Sequence, residues 1–220
     1  MTSKLLRTFI DTFLDTKCTV CKSHDIAYPS GICTLCKKYL FSSCTPPVTA
    51  TEHVKEIFSC LYYKNIVKRY ICNFKYYRDH HAINISKDII QRKIRHEFPK
   101  NIAPDLIIPI PLHRTKYIIR GFNQSVIIAK ILSDIICVPV SSDNLIKVKN
   151  TPAQTSLTRK QRLKNLNNSF SVLRPSMLSG RSILIVDDIM TTGTTLDICA
   201  SELIKHEVKD IYGFTLARTH

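Results

Sequence analysis

Apolar side chains recur at helical spacing in four segments of the chain. Residues 52–77 and 79–98 carry such patterns, and Pro99 ends the second of them. Residues 122–136 and 194–205 show the same spacing. We therefore predict a helix in each of these four segments.

Short apolar runs of strand length accompany these predicted helices. They occupy residues 106–110, 137–140, 145–148, 182–186 and 211–217. Strands that alternate with helices are typical of a parallel sheet with helices packed on both faces. The predicted fold class is therefore α/β, and the polar, basic residues 150–170 are predicted to form a mobile loop and a short helix.

The first 47 residues follow a different pattern, which is rich in cysteines and turns. Residues 1–15 have apolar side chains at helical spacing, but Asp11 and Asp15 interrupt them, which favours a short docking helix over a signal peptide. We place the domain boundary at a pair of prolines. Residues 1–47 then form an N-terminal helix and cysteine segment, and residues 48–220 form the sheet domain. No run approaches the roughly 18 apolar residues that crossing a membrane requires, so we expect a cytoplasmic protein.

Four cysteines of the first segment form two Cys-x-x-Cys pairs, Cys18 with Cys21 and Cys33 with Cys36. Each pair presents two thiolates from a tight turn, and two pairs complete a tetrahedron around Zn²⁺. We predict a structural zinc site; a redox disulfide and ordinary buried cysteines are the alternatives. Cys44 stays open as an alternate ligand or as a structural or free cysteine.

A strand, two carboxylates and a threonine-rich turn follow one another near residue 190. Asp187 and Asp188 come after the strand predicted for residues 182–186. The turn supplies hydroxyls and a glycine through Thr191, Thr192, Gly193, Thr194 and Thr195. Backbone N–H groups at a helix N-terminus attract phosphate, glycine permits a close approach, and carboxylates suit the vicinal hydroxyls of ribose. The pattern predicts a ribose 5-phosphate site at the carboxyl edge of a parallel sheet; a strand–turn–helix with an acidic cap is the alternative.

Positive charge is concentrated in the middle of the chain. The net charge is +15, and residues 61–120 hold 13 basic and 4 acidic side chains, a net charge of +9. Such an excess attracts nucleic acid, an acidic membrane surface or a highly phosphorylated small molecule, although a basic surface without a partner is the plainer interpretation. Arg120, within an Arg-Gly-Phe-Asn-Gln segment, and Lys75 are candidates for binding a pyrophosphate group. The basic residues 150–170 could close over a polyphosphate as a flap.

Taken in order, these motifs resemble the ComF family of competence proteins, also described as amidophosphoribosyltransferase-like. The resemblance covers nearly the whole chain, and its most specific parts are the Arg-Gly-Phe-Asn-Gln segment and the threonine-rich loop. It implies a type I phosphoribosyltransferase-like parallel sheet flanked by helices, with a small N-terminal four-cysteine zinc segment. It also implies that the loop and its aspartates bind phosphoribosyl pyrophosphate with Mg²⁺, with Arg120 and Lys75 as further contacts.

The resemblance further implies a role in natural transformation, with single-stranded DNA and the DNA-uptake machinery as partners. Several tyrosines lie among basic residues and are compatible with base stacking and equally with helix packing: Tyr62, Tyr63, Tyr70, Tyr76 and Tyr77. The competing hypothesis is an active phosphoribosyltransferase of nucleotide salvage or biosynthesis, and a third keeps the fold as a scaffold alone. Because we identify no segment that reads an acceptor base, we assign no catalytic residue.

Overall fold

The computed structural model describes residues 17–24, 31–42, 45–76, 80–149 and 169–219. The predictions for residues 1–15, for most of the loop and short helix of residues 150–170, and for Cys44 lie outside this part of the chain. None of the helices in the described ranges has the length and apolar character needed to cross a membrane.

Six α-helices, one short 3-10 helix (Pro175–Met177) and six strands are present in the described residues. The helices are α1 (Thr34–Ser42), α2 (Asn65–Tyr76), α3 (His80–Glu97), α4 (Arg114–Arg120), α5 (Gln124–Ile136) and α6 (Thr194–Ile204). The strands are β1 (Glu56–Tyr62), β2 (Leu106–Pro109), β3 (Leu145–Lys147), β4 (Phe170–Val172), β5 (Ser182–Met190) and β6 (Asp210–Arg218).

Four of the strands form one parallel sheet in the order β1-β6-β5-β2, and β3 and β4 form a separate antiparallel pair. Side chains of a strand alternate between its two faces. Along β5, Ile183 and Ile185 enter one apolar cluster, while Leu184 and Val186 enter the other. The first cluster also contains α6 and the β3–β4 pair; the second contains α2, α3, α5 and the cysteine segment. The predicted α/β fold, with a parallel sheet covered on both faces, is confirmed.

The helix predicted for residues 52–77 is wrong in its first half, because β1 occupies Glu56–Tyr62 and α2 begins only at Asn65. The run Ile57–Leu61 is buried throughout, with Ile57 and Phe58 in opposite apolar clusters. A short apolar run fits a buried strand as well as a helix. Pairing with β6, which aligns Phe58 with Phe214, selects the strand, and this partner is distant in the sequence.

The strand predicted for residues 137–140 is also wrong. Cys137 caps α5 with a left-handed φ of +57°, and only Val140 forms an isolated bridge, to Ile107 of β2. The strand predicted for residues 182–186 exists but continues to Met190. The two aspartates of the motif therefore lie inside β5, where backbone pairing with β6 holds them.

Candidate functional site at the carboxyl edge of the sheet

The threonine-rich turn joins the end of β5 to the start of α6. Gly193 precedes the helix with a left-handed φ of +76°, and a Cβ at this position would lie 2.9 Å from Thr51 Cγ2. Glycine is therefore required both by the backbone conformation and by the neighbouring side chain. The hydroxyls of Thr192 and Thr194 lie 2.7 Å apart at the helix N-terminus. The first N–H groups of a helix lack partners within that helix, so this turn presents N–H and hydroxyl donors suited to a phosphate.

The two carboxylates lie beside this turn in the last part of β5. Asp187 Oδ1 accepts a hydrogen bond from the Ser125 hydroxyl at 3.1 Å and one from the backbone N–H of Asp188 at 2.8 Å. Asp188 is 8% exposed. Neighbouring residues of a strand point to opposite faces, so the two carboxylates diverge from the strand. Carboxylate oxygens are ligands that Mg²⁺ accepts, together with substrate phosphates and water, and this donor set fits that ion.

The Arg-Gly-Phe-Asn-Gln segment forms the junction between α4 and α5. Gly121 ends α4 with a φ of +73°. Asn123 caps α5 by accepting from the N–H of Ser125 at 3.0 Å, and its amide donates to the carbonyl of Ile110 at 2.9 Å. Arg120 donates to the side chain of Gln124 at 3.3 Å. Asn123 is thus the helix cap, and it ties this junction to the residue that follows β2.

Two lysines that sequence motifs did not identify join Arg120 at this edge. Lys116 and Arg120 are four residues apart and share one face of α4. Lys147 of β3 has its Nζ 5.3 Å from the centre of the Phe170 ring. We call Lys116, Arg120 and Lys147 the basic cluster.

The charges of the basic cluster act on one another. Burial lowers the pKa of Lys147 below its ordinary value of 10.5, and the charge of Lys116 lowers it further, while Asp187 acts in the opposite direction. Burial also lowers the pKa of Lys116, and Arg120 adds to that effect. Like charges that depress one another in partly buried positions favour the binding of a multiply charged anion. The spacing of Lys116 from Arg120 was visible in the sequence, whereas the approach of Lys147 depends on the tertiary fold.

The segment before β1 forms a second wall of the threonine-rich turn. A cavity of about 200 Å³ lies between residues 49–51, residues 190–193 and the end of β6. The guanidinium of Arg218 donates to the carbonyl of Pro47 at 3.0 Å, and the Thr219 hydroxyl donates to the carbonyl of Thr191 at 3.2 Å. Thr51, within this segment, lies against Gly193.

His53 connects this segment to the first turn of α6. Its backbone N–H donates to Asp197 Oδ1 at 2.9 Å, and its ring Nδ1 lies 3.2 Å from Asp197 Oδ2. Burial by itself would raise the pKa of Asp197, but the hydrogen bonds that the carboxylate accepts, including those from His53, hold that pKa below its ordinary value. The pair therefore fixes the residues before β1 to the helix that follows the turn.

The four cysteines of the two pairs converge at the other end of the described chain. The sulfurs of Cys18, Cys21, Cys33 and Cys36 all lie within 4.8 Å of one another. Cys21 Sγ lies 3.6 Å from Cys33 Sγ, and none of the four forms a disulfide. Four sulfurs at about 2.3 Å from Zn²⁺ would be separated by about 3.8 Å, so this group fits a metal ion.

Hydrogen bonds orient the sulfurs. The N–H of Cys33 donates to Cys18 Sγ and that of Cys36 donates to Cys33 Sγ, both at 3.4 Å. The Ser23 hydroxyl, 3.3 Å from the sulfur of Cys21, lowers the pKa of this thiol from 9.0 to about 6. Lys22, which follows the first pair where zinc knuckles often place glycine, has a left-handed φ of +66°. The tight turn therefore forms although Lys22 carries a side chain, and this turn lets the first cysteine pair present two thiolates.

Residues 75–219 match the family of phosphoribosyl transferase domains. The chain belongs to this family. It is 35% identical over 116 residues to Competence protein F of Haemophilus influenzae, and the alignment covers 52% of this chain and 51% of that protein. It is 34% identical over 116 residues to DNA utilization protein YhgH of Escherichia coli O157:H7, covering 53% of this chain and 50% of that protein.

A third relative is Competence protein ComFC of Bacillus subtilis, which is 27% identical over 158 residues, or 71% of this chain and 62% of that protein. The resemblance to the ComF family is confirmed by these relatives. The chain spans about half the length of the first two. The phosphoribosyl transferase match contains the turn, both aspartates and the basic cluster, whereas the four cysteines precede it.

The remaining predicted contact, Lys75, lies at the start of the phosphoribosyl transferase match and in the last turn of α2. Its side chain is outside the described part of the chain. The structure therefore brings together the turn, Asp187, Asp188 and Arg120 at one edge of the sheet, and it adds Lys116 and Lys147 to them.

Proposed function

We propose that this protein binds phosphoribosyl pyrophosphate with Mg²⁺ at the carboxyl edge of β2 and β5, as part of a ComF-like role in DNA uptake. One observation carries the proposal: a phosphate-type helix N-terminus, two carboxylates and a cluster of three cations lie along a single sheet edge. Each of these features suits a different part of that ligand.

Each part of the ligand is matched to one of these three features. The 5-phosphate fits the donors of the turn at the N-terminus of α6, where Thr192 and Thr194 lie close together. Asp187 and Asp188 are the proposed partners of the ribose hydroxyls and the metal ion. The pyrophosphate, which carries most of the negative charge, fits the basic cluster, because partly buried cations interact more strongly with an anion than exposed cations do.

The wider role is supported by the relatives, which are named as competence and DNA utilization proteins. A net charge of +9 in residues 61–120 favours a polyanionic partner, and single-stranded DNA is the partner that we propose. A structural Zn²⁺ held by the four cysteines, a cytoplasmic location and contact with the uptake machinery complete the proposal.

Calorimetric titration with phosphoribosyl pyrophosphate and Mg²⁺ tests the sheet-edge site. We expect Thr192→Ala and Asp188→Ala to lose binding, because each removes a proposed ligand contact, while Asp134→Ala, an exposed carboxylate of α5, keeps wild-type affinity. An unchanged affinity in both site variants would refute the assignment. Release of pyrophosphate in the presence of purine or pyrimidine bases, measured in parallel, distinguishes a transferase from a protein that only binds the ligand.

A further inference from the structure

A second basic feature lies far along the chain from the sheet-edge residues. A cleft of about 540 Å³ separates the first cysteine pair from α2. Its polar lining consists of three cations and two amides, and none of its described lining residues is acidic: Lys22, Asn65, Lys68, Arg69 and Asn73. A cleft whose charged groups are all positive is suited to an anionic ligand.

The lining residues on α2 are arranged along the helix axis. Asn65, Arg69 and Asn73 recur every four residues, so they form a row along one face of the helix. Eight residues of helix rise about 12 Å, which is longer than a single phosphate group. Lys22 lines the opposite side, on the turn that follows Cys21. A chain of phosphates therefore matches the cleft better than one small anion does.

Hydrogen bonds and apolar packing hold the two walls of the cleft together. The amide of Asn73 donates to the carbonyl of Thr19 in the cysteine segment. Cys18 and Val20 belong to the same apolar cluster as Tyr70 and Phe74 of α2. The cleft is therefore a built junction between two parts of the molecule, and the backbone positions that carry its cations are fixed relative to one another.

Two tyrosines border this junction. Asn65 donates to the Tyr39 hydroxyl at 3.4 Å, and the hydroxyl of Tyr63 lies 3.9 Å from the sulfur of Cys72, another lining residue. Both rings are half-buried. Aromatic rings beside a cationic groove stack the unpaired bases of single-stranded nucleic acids. Tyr70 cannot serve this purpose because it is 0% exposed in the core.

We propose that the cleft between the cysteine segment and α2 binds the phosphate backbone of single-stranded DNA, at a site separate from the sheet edge. The DNA part of the proposed function underlies this inference, and the cleft gives that function a location. Lys68 and Arg69 supply exposed cations on α2, Lys22 supplies one from the turn, and the half-buried tyrosines beside the cleft contact bases.

Fluorescence anisotropy with a labelled oligothymidylate tests this site on the full-length protein. We expect the double variant Lys68→Gln, Arg69→Gln to weaken binding by about tenfold or more. The slope of log affinity against log salt should fall by about 1.4, because each lost phosphate contact to a single strand contributes about 0.7. The matched control is Arg181→Gln, Lys209→Gln, which removes the same charge from exposed positions at the amino edge of the sheet.

Four results would overturn the inference. They are wild-type affinity in the cleft variant, an equal loss in the control, tighter binding of duplex DNA or RNA of equal length, and complete displacement of the oligonucleotide by one equivalent of free nucleotide. Titration of the cleft variant with phosphoribosyl pyrophosphate separates this site from the sheet edge. Retained affinity for that ligand with lost DNA binding supports two sites, whereas loss of both would overturn a DNA site separate from the sheet edge.

Discussion

The sheet edge and the cysteine segment reach their geometry by different physical means. The turn at the sheet edge is fixed on both sides, by β5, which is buried on both faces, and by α6. Within residues 17–24 and 31–42, the described part of the cysteine segment, the chain forms turns and the short helix α1, and its buried residues share an apolar cluster with α2. A segment of this size depends on its metal and on its neighbour for stability, so the two regions should fail under different perturbations.

The largest expected difference between the two regions comes from replacing one of the four clustered cysteines. We expect the wild-type protein to contain zinc and Cys33→Ser to lose it, with destabilisation of the cysteine segment on the order of several kcal/mol, because four thiolates are needed for a closed site. Elemental analysis and hydrogen exchange measure the two effects. Cys137→Ser, which changes an exposed cysteine, should retain zinc. Full zinc retention in Cys33→Ser would count against four-thiolate ligation.

Gly193→Ala should damage the sheet edge and leave the zinc content unchanged. The new Cβ would lie 2.9 Å from Thr51 Cγ2 at a φ of +76°, so both a clash and backbone strain oppose it. We expect at least tenfold weaker binding of phosphoribosyl pyrophosphate, from about 1–2 kcal/mol of strain plus the clash. Unchanged affinity would show that the turn does not need glycine.

Two further variants separate the clash from the strain. Gly180→Ala meets nothing within 4 Å at a φ of +71°, so its loss of folding stability measures strain alone. Thr51→Ser removes Cγ2, and the double variant Gly193→Ala, Thr51→Ser should recover part of the lost affinity. An absence of recovery would assign the whole effect to the backbone.

Features formed by neighbouring residues could be predicted from the sequence, whereas features formed by distant residues could not. The threonine-rich turn and the two cysteine pairs are local patterns, and their spacing alone indicates a phosphate-type turn and a four-sulfur group. Strand β1 is non-local, because Phe58 becomes a strand residue only through its alignment with Phe214 of β6. The contact of Thr51 with Gly193 and the approach of Lys147 to Asp187 likewise join residues more than 30 positions apart. Such contacts leave no mark on local periodicity.

The basic cluster predicts a pH dependence that the cysteine segment should not share. Burial lowers the pKa values of Lys116 and Lys147 below 10.5, with Arg120 adding to the effect on Lys116 and Lys116 adding to the effect on Lys147, and a bound pyrophosphate would raise both. At a pH near these lowered pKa values, binding should therefore take up protons, and affinity should fall as the pH rises through them.

Calorimetry in two buffers with different ionisation enthalpies measures that proton uptake. Lys147→Met should reduce both the uptake and the affinity, the latter by about tenfold. Lys130→Met, which changes an exposed lysine of α5, should alter neither. A Lys147→Met variant with wild-type proton uptake would exclude Lys147 from the pyrophosphate site.

The smallest expected effect concerns the pair of His53 and Asp197, which holds the segment before β1 against α6. Asp197 lies in the first turn of that helix, where a negative charge is favourable, and the two side chains are 31% and 16% exposed. Because solvent screens a partly exposed pair, we expect Asp197→Asn to lower the free energy of unfolding by about 0.5–1 kcal/mol at neutral pH.

The folded-state pKa of Asp197 is below its ordinary value of 3.8, so its stabilising contribution is present above that value and is lost as the pH falls through the folded-state pKa. The difference between wild type and Asp197→Asn should therefore shrink on acidification below about pH 4, which urea unfolding at several pH values measures. Asp134→Asn, on an exposed carboxylate of α5, should show no such trend. A difference that stays constant with pH would assign the effect to altered geometry, leaving the charge of Asp197 without a role in fixing the turn.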